Sequence, residues 1–189
     1  MIHDYFADLA VLAAGAADTI GEETVAASQM VAEAVLSGRM LYTFGNGGSA
    51  TQAQHFSAEL VVRYKDDRPA LPAISLTADI GILTACANDF DYSEIFARQI
   101  EALGRPGDVA FGLSTSGKSP NVLKGLRIAR AKGLSTILLT GEKGRSEAVN
   151  WDIGLVVPSE ETAHVQELHL AVIHLICQFV DAERLRRVV

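Results

Sequence analysis

The feature of this 189-residue chain that most restricts its fold is an alternation that begins after Gly38. Short apolar runs at 40–44, 73–76, 109–113, 134–139 and 153–157 are each followed by a stretch long enough for a helix. Continuous runs of this length suit strands buried on both faces, and strands separated by helices pair in parallel. The expectation is an α/β fold, a three-layer doubly wound five-stranded parallel sheet. Upstream, Ile2, Phe6, Leu9 and Ala13, then Ala27, Val31, Ala34 and Val35, fall at helical offsets. Residues 18–23, which include Gly21, interrupt that pattern, so the reading is two amphipathic helices joined by a hairpin or hinge. Residues 1–37 thus form an N-terminal helical extension ahead of 38–189. No linker, repeat or low-complexity segment divides the two, and they are read as a single structural unit.

Composition excludes several classes of function. Sixteen Lys and Arg against twenty-three Asp and Glu give a formal net charge of -7, which leaves no basic excess to neutralise a phosphodiester backbone. Nucleic acid is not an expected partner. No apolar stretch approaches the roughly 20 residues that span a bilayer, and the N-terminus lacks a basic region followed by an apolar run. The expectation is a cytoplasmic protein with no membrane partner. Cys86 and Cys177 are the only cysteines and both have apolar neighbours, so they are read as small buried hydrophobes.

Two helices carry clear end signals. Ser119 is placed to cap one, Pro120 fits its first turn, Val122, Leu123, Leu126 and Ala129 form its buried stripe, and Gly133 ends it. The last helix is read from about Glu161 past Phe179, with Leu168, Val172, Leu175, Ile176 and Phe179 on its apolar side. Arg184, Arg186 and Arg187 suit its C-terminus.

Two loops each follow an expected strand and open an expected helix, where free N–H groups and the helix dipole favour an anion. The first is Gly45-Asn46-Gly47-Gly48-Ser49, in which glycines let the backbone approach a ligand and Asn and Ser add side-chain hydrogen bonds. The second is Ser114-Thr115-Ser116-Gly117-Lys118-Ser119, four hydroxyls in six residues. In open parallel sheets ligands bind beyond the carboxyl ends of the strands, so the two loops are candidates for one phosphate-binding site. Residues 112–119 also fit the G-x-x-x-x-G-K-S pattern of nucleotide triphosphatases. That reading is set aside, because Gly112 falls inside the strand and no later strand ends in an acidic residue to hold magnesium.

His55 and Glu59 are spaced i, i+4 on the helix that opens at the first loop, where an imidazole and a carboxylate can chelate a metal or act as an acid–base pair. In the last helix Gln166 and His174 are eight residues apart, about 80° around the axis and about 12 Å along it. Spacing alone does not bring them to one site. His164 and His169 lie on the same helix, and sequence does not rank them against His174.

Taken together, these motifs resemble the phosphoheptose isomerases, which carry the sugar isomerase (SIS) domain, over almost the whole length. The matching pieces are residues 45–49, Gln54-His55-Phe56 with Glu59, Arg68-Pro69 ahead of Leu71-Pro72-Ala73-Ile74, Ala87-Asn88-Asp89-Phe90, residues 102–108, Ser114-Thr115-Ser116-Gly117, Gln166-Glu167 and His174. The resemblance implies conversion of sedoheptulose 7-phosphate to D-glycero-D-manno-heptose 7-phosphate, an aldose–ketose isomerisation that supplies heptose for surface glycans such as lipopolysaccharide. It implies that Ser114, Thr115, Ser116 and Ser119 hold the phosphate and that Asn46, Gly47, Gly48, Asn88 and Asp89 line the sugar. It implies zinc, one Zn2+ per subunit, on His55, Glu59, Gln166 and His174, with Glu59 and His174 as the catalytic pair. Glu59 and Gln166 thereby also face the substrate. A homotetramer with active sites at subunit contacts is implied as well, with the N-terminal helices of residues 1–37 serving oligomerisation and 38–189 forming the SIS domain.

The chain departs from the family pattern in three places: Lys118 stands where Asn is common, Ala163-His164 where a pair such as Thr-Arg is usual, and residues 142–145 lack the usual second glycine. The competing readings are a non-catalytic SIS-domain regulator that binds the bacterial replication initiator, and an isomerase of another phosphosugar. Relatives of the regulator class lack the Glu and the last-helix His that this chain has at 59 and 174.

Overall fold

The computed structural model describes residues 1–188. Its five strands are β1 (Leu41–Gly45), β2 (Ala73–Ser75), β3 (Val109–Ser114), β4 (Ser135–Gly141) and β5 (Ile153–Val157). They form one sheet in the order β2-β1-β3-β4-β5 with every neighbouring pair parallel. Leu41 stands opposite both Ala73 and Val109, Val109 opposite Ser135, and Ile137 opposite Ile153. Every residue of β1 and β3 is buried, which explains why these strands read as unbroken apolar runs.

The sheet is covered on both faces. α1 (Ile2–Leu36), α2 (Gly48–Val61) and α7 (Thr162–Val188) pack on one side, around a core into which Leu41, Val109, Phe111, Ile137 and Leu139 project. α3 (Ile80–Asp89), α4 (Ala97–Leu103) and α5 (Pro120–Ala131) pack on the other, against Tyr42, Phe44, Ala110 and Leu138. The short α6 (Arg145–Ala148) leads into β5. Alternate residues of β1, β3 and β4 thus feed opposite cores. From β1 the chain steps outward to β2, then returns to the other side of β1 to form β3. The switch point lies between β1 and β3, and the loops that leave these two strands border it.

The N-terminal segment is one helix of 35 residues, not two. Ile20, Thr24, Ala27, Ser28 and Val31 continue a single buried stripe through the expected break. The hydroxyls of Thr24 and Ser28 donate to the carbonyls of Ile20 (2.6 Å) and Thr24 (2.7 Å), so neither leaves a buried polar atom that would favour an exit from the helix. Gly21 costs about 1 kcal/mol against Ala in a helix, and packing against α7 overrides a penalty of that size. α1 is tied to α7 at both ends: Tyr5 donates to Glu167 Oε1 at 2.7 Å, and Arg187 donates to Glu33 Oε2 at 2.5 Å. The two helices therefore run in the same direction.

Two smaller expectations change. By length and composition α7 is apolar enough to cross a bilayer, although no continuous apolar run revealed it; half of the apolar window is buried inside the fold, as in the core helix it is here. Ser119 does stand at the N-cap of α5, but its side chain makes no capping bond and pairs with Ser114 instead. Gly133 ends α5 with φ +78°, and Cys86 and Cys177 are free and buried, as expected.

Candidate active site

β1 delivers the first loop at the switch point. Gly47 caps α2 with φ +54°, a conformation that favours glycine. At Gly48 a side chain would sit 2.5 Å from the Gln166 amide, so the bare backbone is what lets α7 approach this turn. Gln52 closes the contact by donating to the Gln166 carbonyl at 2.6 Å. Asn46 is committed to its neighbours. It donates to Asn121 Oδ1 at 2.9 Å and accepts from Asn121 at 2.8 Å and from the Tyr92 hydroxyl at 3.1 Å. The Asn46–Asn121 pair joins the loop after β1 to the helix after β3, and Tyr92 brings in the segment that follows Asn88 and Asp89. Asn88 and Asp89 are exposed at the end of α3 and bonded to each other at 2.8 Å.

β3 delivers the second loop. The Gly117 N–H donates to the Ser114 carbonyl at 3.0 Å to close the turn, and Gly117 has φ +64°. Ser114 and Ser119 Oγ atoms lie 2.9 Å apart, while Ser116 Oγ accepts from the Lys118 N–H at 3.2 Å. The loop is buttressed from behind by the turn after β4, where the Gly141 N–H donates to the Thr115 carbonyl at 3.1 Å. A hydroxyl-rich turn with a left-handed glycine, opening the 12-residue α5, presents the donors that a phosphate monoester takes. Gly112 lies inside β3, as the argument against a nucleotide phosphate loop requires.

The catalytic candidates meet on α2 and α7. His55 Nε2 lies 3.0 Å from His174 Nε2 and 3.6 Å from Glu59 Oε1. Tyr64, just beyond α2, stacks on His174 with ring centroids 5.7 Å apart. The His55 side chain is 40% exposed and that of Glu59 20%, so the group opens to solvent on one side. Beneath it, burial and then the Glu59 and Asp181 carboxylates push the Cys177 thiol up, leaving it protonated and inert.

Within one chain the four expected zinc ligands do not form a single cluster. α2 and α7 run in the same direction, with Gln166 beside Gly48 and His174 beside His55. Gln166 therefore stands about 10 Å up the helix pair from the two imidazoles. Two Nε2 atoms and a carboxylate oxygen are the donor chemistry of a catalytic zinc site that keeps a position open, so these three residues fit the metal in kind. As they stand, no three His, Cys, Asp or Glu side chains among the described residues surround a common centre, and the hydrogen-bonded imidazoles would have to part.

The sequence reading missed Asn121, Tyr92, Tyr64 and the buttressing turn at residues 141–144. Asn121, directly after Pro120, was the only one with a local signal. His169 is fully buried behind the second loop, and burial lowers its imidazole to about 4. Neither of its ring nitrogens has a partner in hydrogen-bond geometry, though the nearby Thr140 backbone opposes the burial effect weakly.

Residues 4–141 match the model of the SIS domain. The chain is 44% identical over 183 residues, covering 95% of its own length and 93% of the relative's, to the phosphoheptose isomerase of Shewanella oneidensis. It is 52% identical over 154 residues, 82% of its length and 80% of the relative's, to that of Paramagnetospirillum magneticum. Among solved structures, the phosphoheptose isomerase of Neisseria gonorrhoeae superposes with a TM-score of 0.88 at 35% identity, covering 96% of this chain and 97% of that one. The phosphoheptose isomerase of Francisella tularensis gives 0.91 at 33% identity, with 96% of each chain covered.

Proposed function

The chain belongs to the SIS-domain phosphoheptose isomerases, and on that premise we propose that it interconverts sedoheptulose 7-phosphate and D-glycero-D-manno-heptose 7-phosphate, with Glu59 and His174 as its acid–base pair. One observation carries the assignment of the pair: His55, Glu59 and His174 converge from two helices in a chain that matches these isomerases over nearly its full length. The replication-initiator regulator is not favoured, since the relatives are isomerases and both catalytic candidates are present.

Isomerisation moves one proton between adjacent carbons. A base takes a proton from C1, beside the C2 carbonyl of the ketose, and the electron pair of that C–H bond forms the enediolate. Return of the proton to C2 and transfer of a hydroxyl proton from O1 to O2 give the aldehyde, with no atom gained or lost. Glu59 has the carboxylate for the carbon-bound proton, and His174 can pass protons between the oxygens. Ser114, Thr115, Ser116 and Ser119 hold the phosphate. Gly47 and Gly48 present backbone to the sugar, with Asn46, Asn88 and Asp89 along its length.

The proposal includes one Zn2+ per subunit, which His55, Glu59 and His174 would hold; Gln166, about 10 Å along the helix pair in the same chain, would complete the set as fourth ligand only across a subunit contact. When bound, it supplies a Lewis acid for the oxygens of the reacting carbons. A carboxylate on a cation is a weaker base, so zinc binding and proton abstraction compete for Glu59. The chain is proposed to work as a homotetramer in the cytoplasm and to feed heptose to surface glycans such as lipopolysaccharide. A groove of about 580 Å3 between α1 and α7, lined by Ala13, Ala17, Ile20, Ala171, Leu175 and Phe179, is the surface that supports assembly. Ile2, Phe6, Val11 and Val25 add exposed apolar area along α1.

Turnover of sedoheptulose 7-phosphate by metal-stripped protein, before and after zinc is added, tests this reading, with Glu59→Gln as the blank. Zinc-dependent product that disappears in the variant supports it. No turnover by a folded assembly under either condition moves the assignment to another phosphosugar.

A further inference from the structure

Arg68 follows α2 in the chain, and its guanidinium is almost completely enclosed, with the side chain 1% exposed. Its Nε donates to Asp181 Oδ1 at 2.7 Å, Nη2 to the Glu59 carbonyl at 2.7 Å, and Nη1 to the carbonyls of Leu60 at 2.7 Å and Pro69 at 3.2 Å. Glu59 and Leu60 lie in the last turn of α2, where helix carbonyls lack partners within the helix. A buried cation there satisfies those carbonyls and opposes the negative end of the helix dipole. Asp181 belongs to α7, two turns beyond His174. One side chain therefore bonds the peptide of the residue assigned as base and the helix that carries its partner.

We propose that Arg68 is a positioning residue, fastening the end of α2 to α7 so that Glu59 and His174 stay in register; this rests on the reading of those two as the acid–base pair. The arrangement needs a guanidinium. Its planar fork reaches four acceptors on three segments at once, whereas an ammonium offers three donors on a flexible stem. None of its four acceptors belongs to the hydroxyl loop after β3, so it acts on the reacting centre and not on the phosphate grip.

The test uses the full-length protein with Arg68→Lys, Arg68→Ala and Asp181→Asn. The readouts are kcat and KM for sedoheptulose 7-phosphate, melting temperature, and the 15N imidazole resonances of His55 and His174. Arg68→Lys is expected to lower kcat on the order of 10²-fold, the usual consequence of about 1 Å of misplacement, with KM held within about twofold. The His174 resonance should move. Free guanidinium at millimolar concentration should restore part of the kcat of Arg68→Ala, and the same concentration of sodium chloride should not. Unchanged kcat and unmoved resonances in folded Arg68→Lys overturn the proposal. So does a joint loss of kcat, substrate affinity and melting temperature in all three variants without rescue, which is the signature of a scaffold residue. Should the wild type itself fail to turn over the heptose phosphate, the acid–base reading fails, and the imidazole resonances still decide whether Arg68 sets the geometry.

Discussion

The Nε2 atoms of His55 and His174, carried by different helices, face each other at 3.0 Å. At that distance they share one proton, so one ring donates from Nε2 while the other presents its lone pair. A zinc ion would need both Nε2 lone pairs, so the donating ring would have to carry its proton on Nδ1 instead. Metal-stripped protein should therefore gain stability on binding the ion, its melting temperature rising with zinc concentration. His55→Ala should lose the tight site. Titration calorimetry measures the affinity, and zinc binding of unchanged affinity in His55→Ala would remove this residue from the ligand set.

Glu59→Gln keeps the shape and one acceptor of the side chain but cannot take a proton. Turnover should fall by about 10² to 10⁴, the usual range for a positioned general base, while the affinity for substrate stays near that of the wild type. A rate assay paired with titration calorimetry separates the two quantities. Near-normal kcat would mean that the base lies elsewhere.

The phosphate loop should respond in the opposite parameter. Ser119→Ala removes a hydroxyl that also bonds Ser114, and loss of one hydrogen bond to a charged phosphate, about 1.5 kcal/mol, should raise KM roughly tenfold with little change in kcat. Gly117→Ala should be far more damaging. Its φ of +64° strains an L-residue, and its new methyl would collide with the Gly144 backbone. Soluble yield and melting temperature report that difference directly.

How much of this was legible beforehand follows from the range of each signal. The strands were readable because double burial leaves a continuous apolar run, and both loops were readable because glycines and hydroxyls cluster where a strand ends. The single helix of residues 2–36 was not, because Gly21 and its polar neighbours look like a break unless the stripe from Ile20 to Val31 is known to pack on α7. The contact of His55 with His174 joins residues 119 apart, and no local period encodes it. Arg68 belonged to a recognised motif, yet nothing in its neighbours announced that an Arg beside Asp67 would turn inward. Asp67 pairs with Arg63 instead, which leaves Arg68 to Asp181.

Acid should weaken the fold through His169. Its imidazole is held down to about 4 by burial, against about 6.5 in the unfolded chain. The unfolded state therefore takes up the proton first as pH falls. The stability due to the neutral ring is complete above 6.5 and is lost progressively as pH drops toward 4, by roughly 3 kcal/mol in all. Urea denaturation across this range should show the slope, and His169→Phe should flatten it; an identical slope in the variant would assign the acid sensitivity to other groups.

The groove between α1 and α7 should seat a second copy of the chain. Ala17→Glu or Ala171→Glu places a carboxylate on that apolar floor and should yield a smaller species at the same concentration. Sedimentation velocity reads the change, and an unaltered assembly in both variants would move the contact to another face.

The absence of a joint in α1 has a mechanical meaning. A hinge near Gly21 would have let the outer half of the helix move without disturbing the remainder. Instead the helix is a single rod of about 52 Å, fastened near its start by Tyr5 to Glu167 and near its end by Glu33 to Arg187. Glu167 adjoins Gln166, which lies against the glycine turn of the first loop. Whatever seats on the start of α1 therefore lies one hydrogen bond and one residue from the lip of the candidate site.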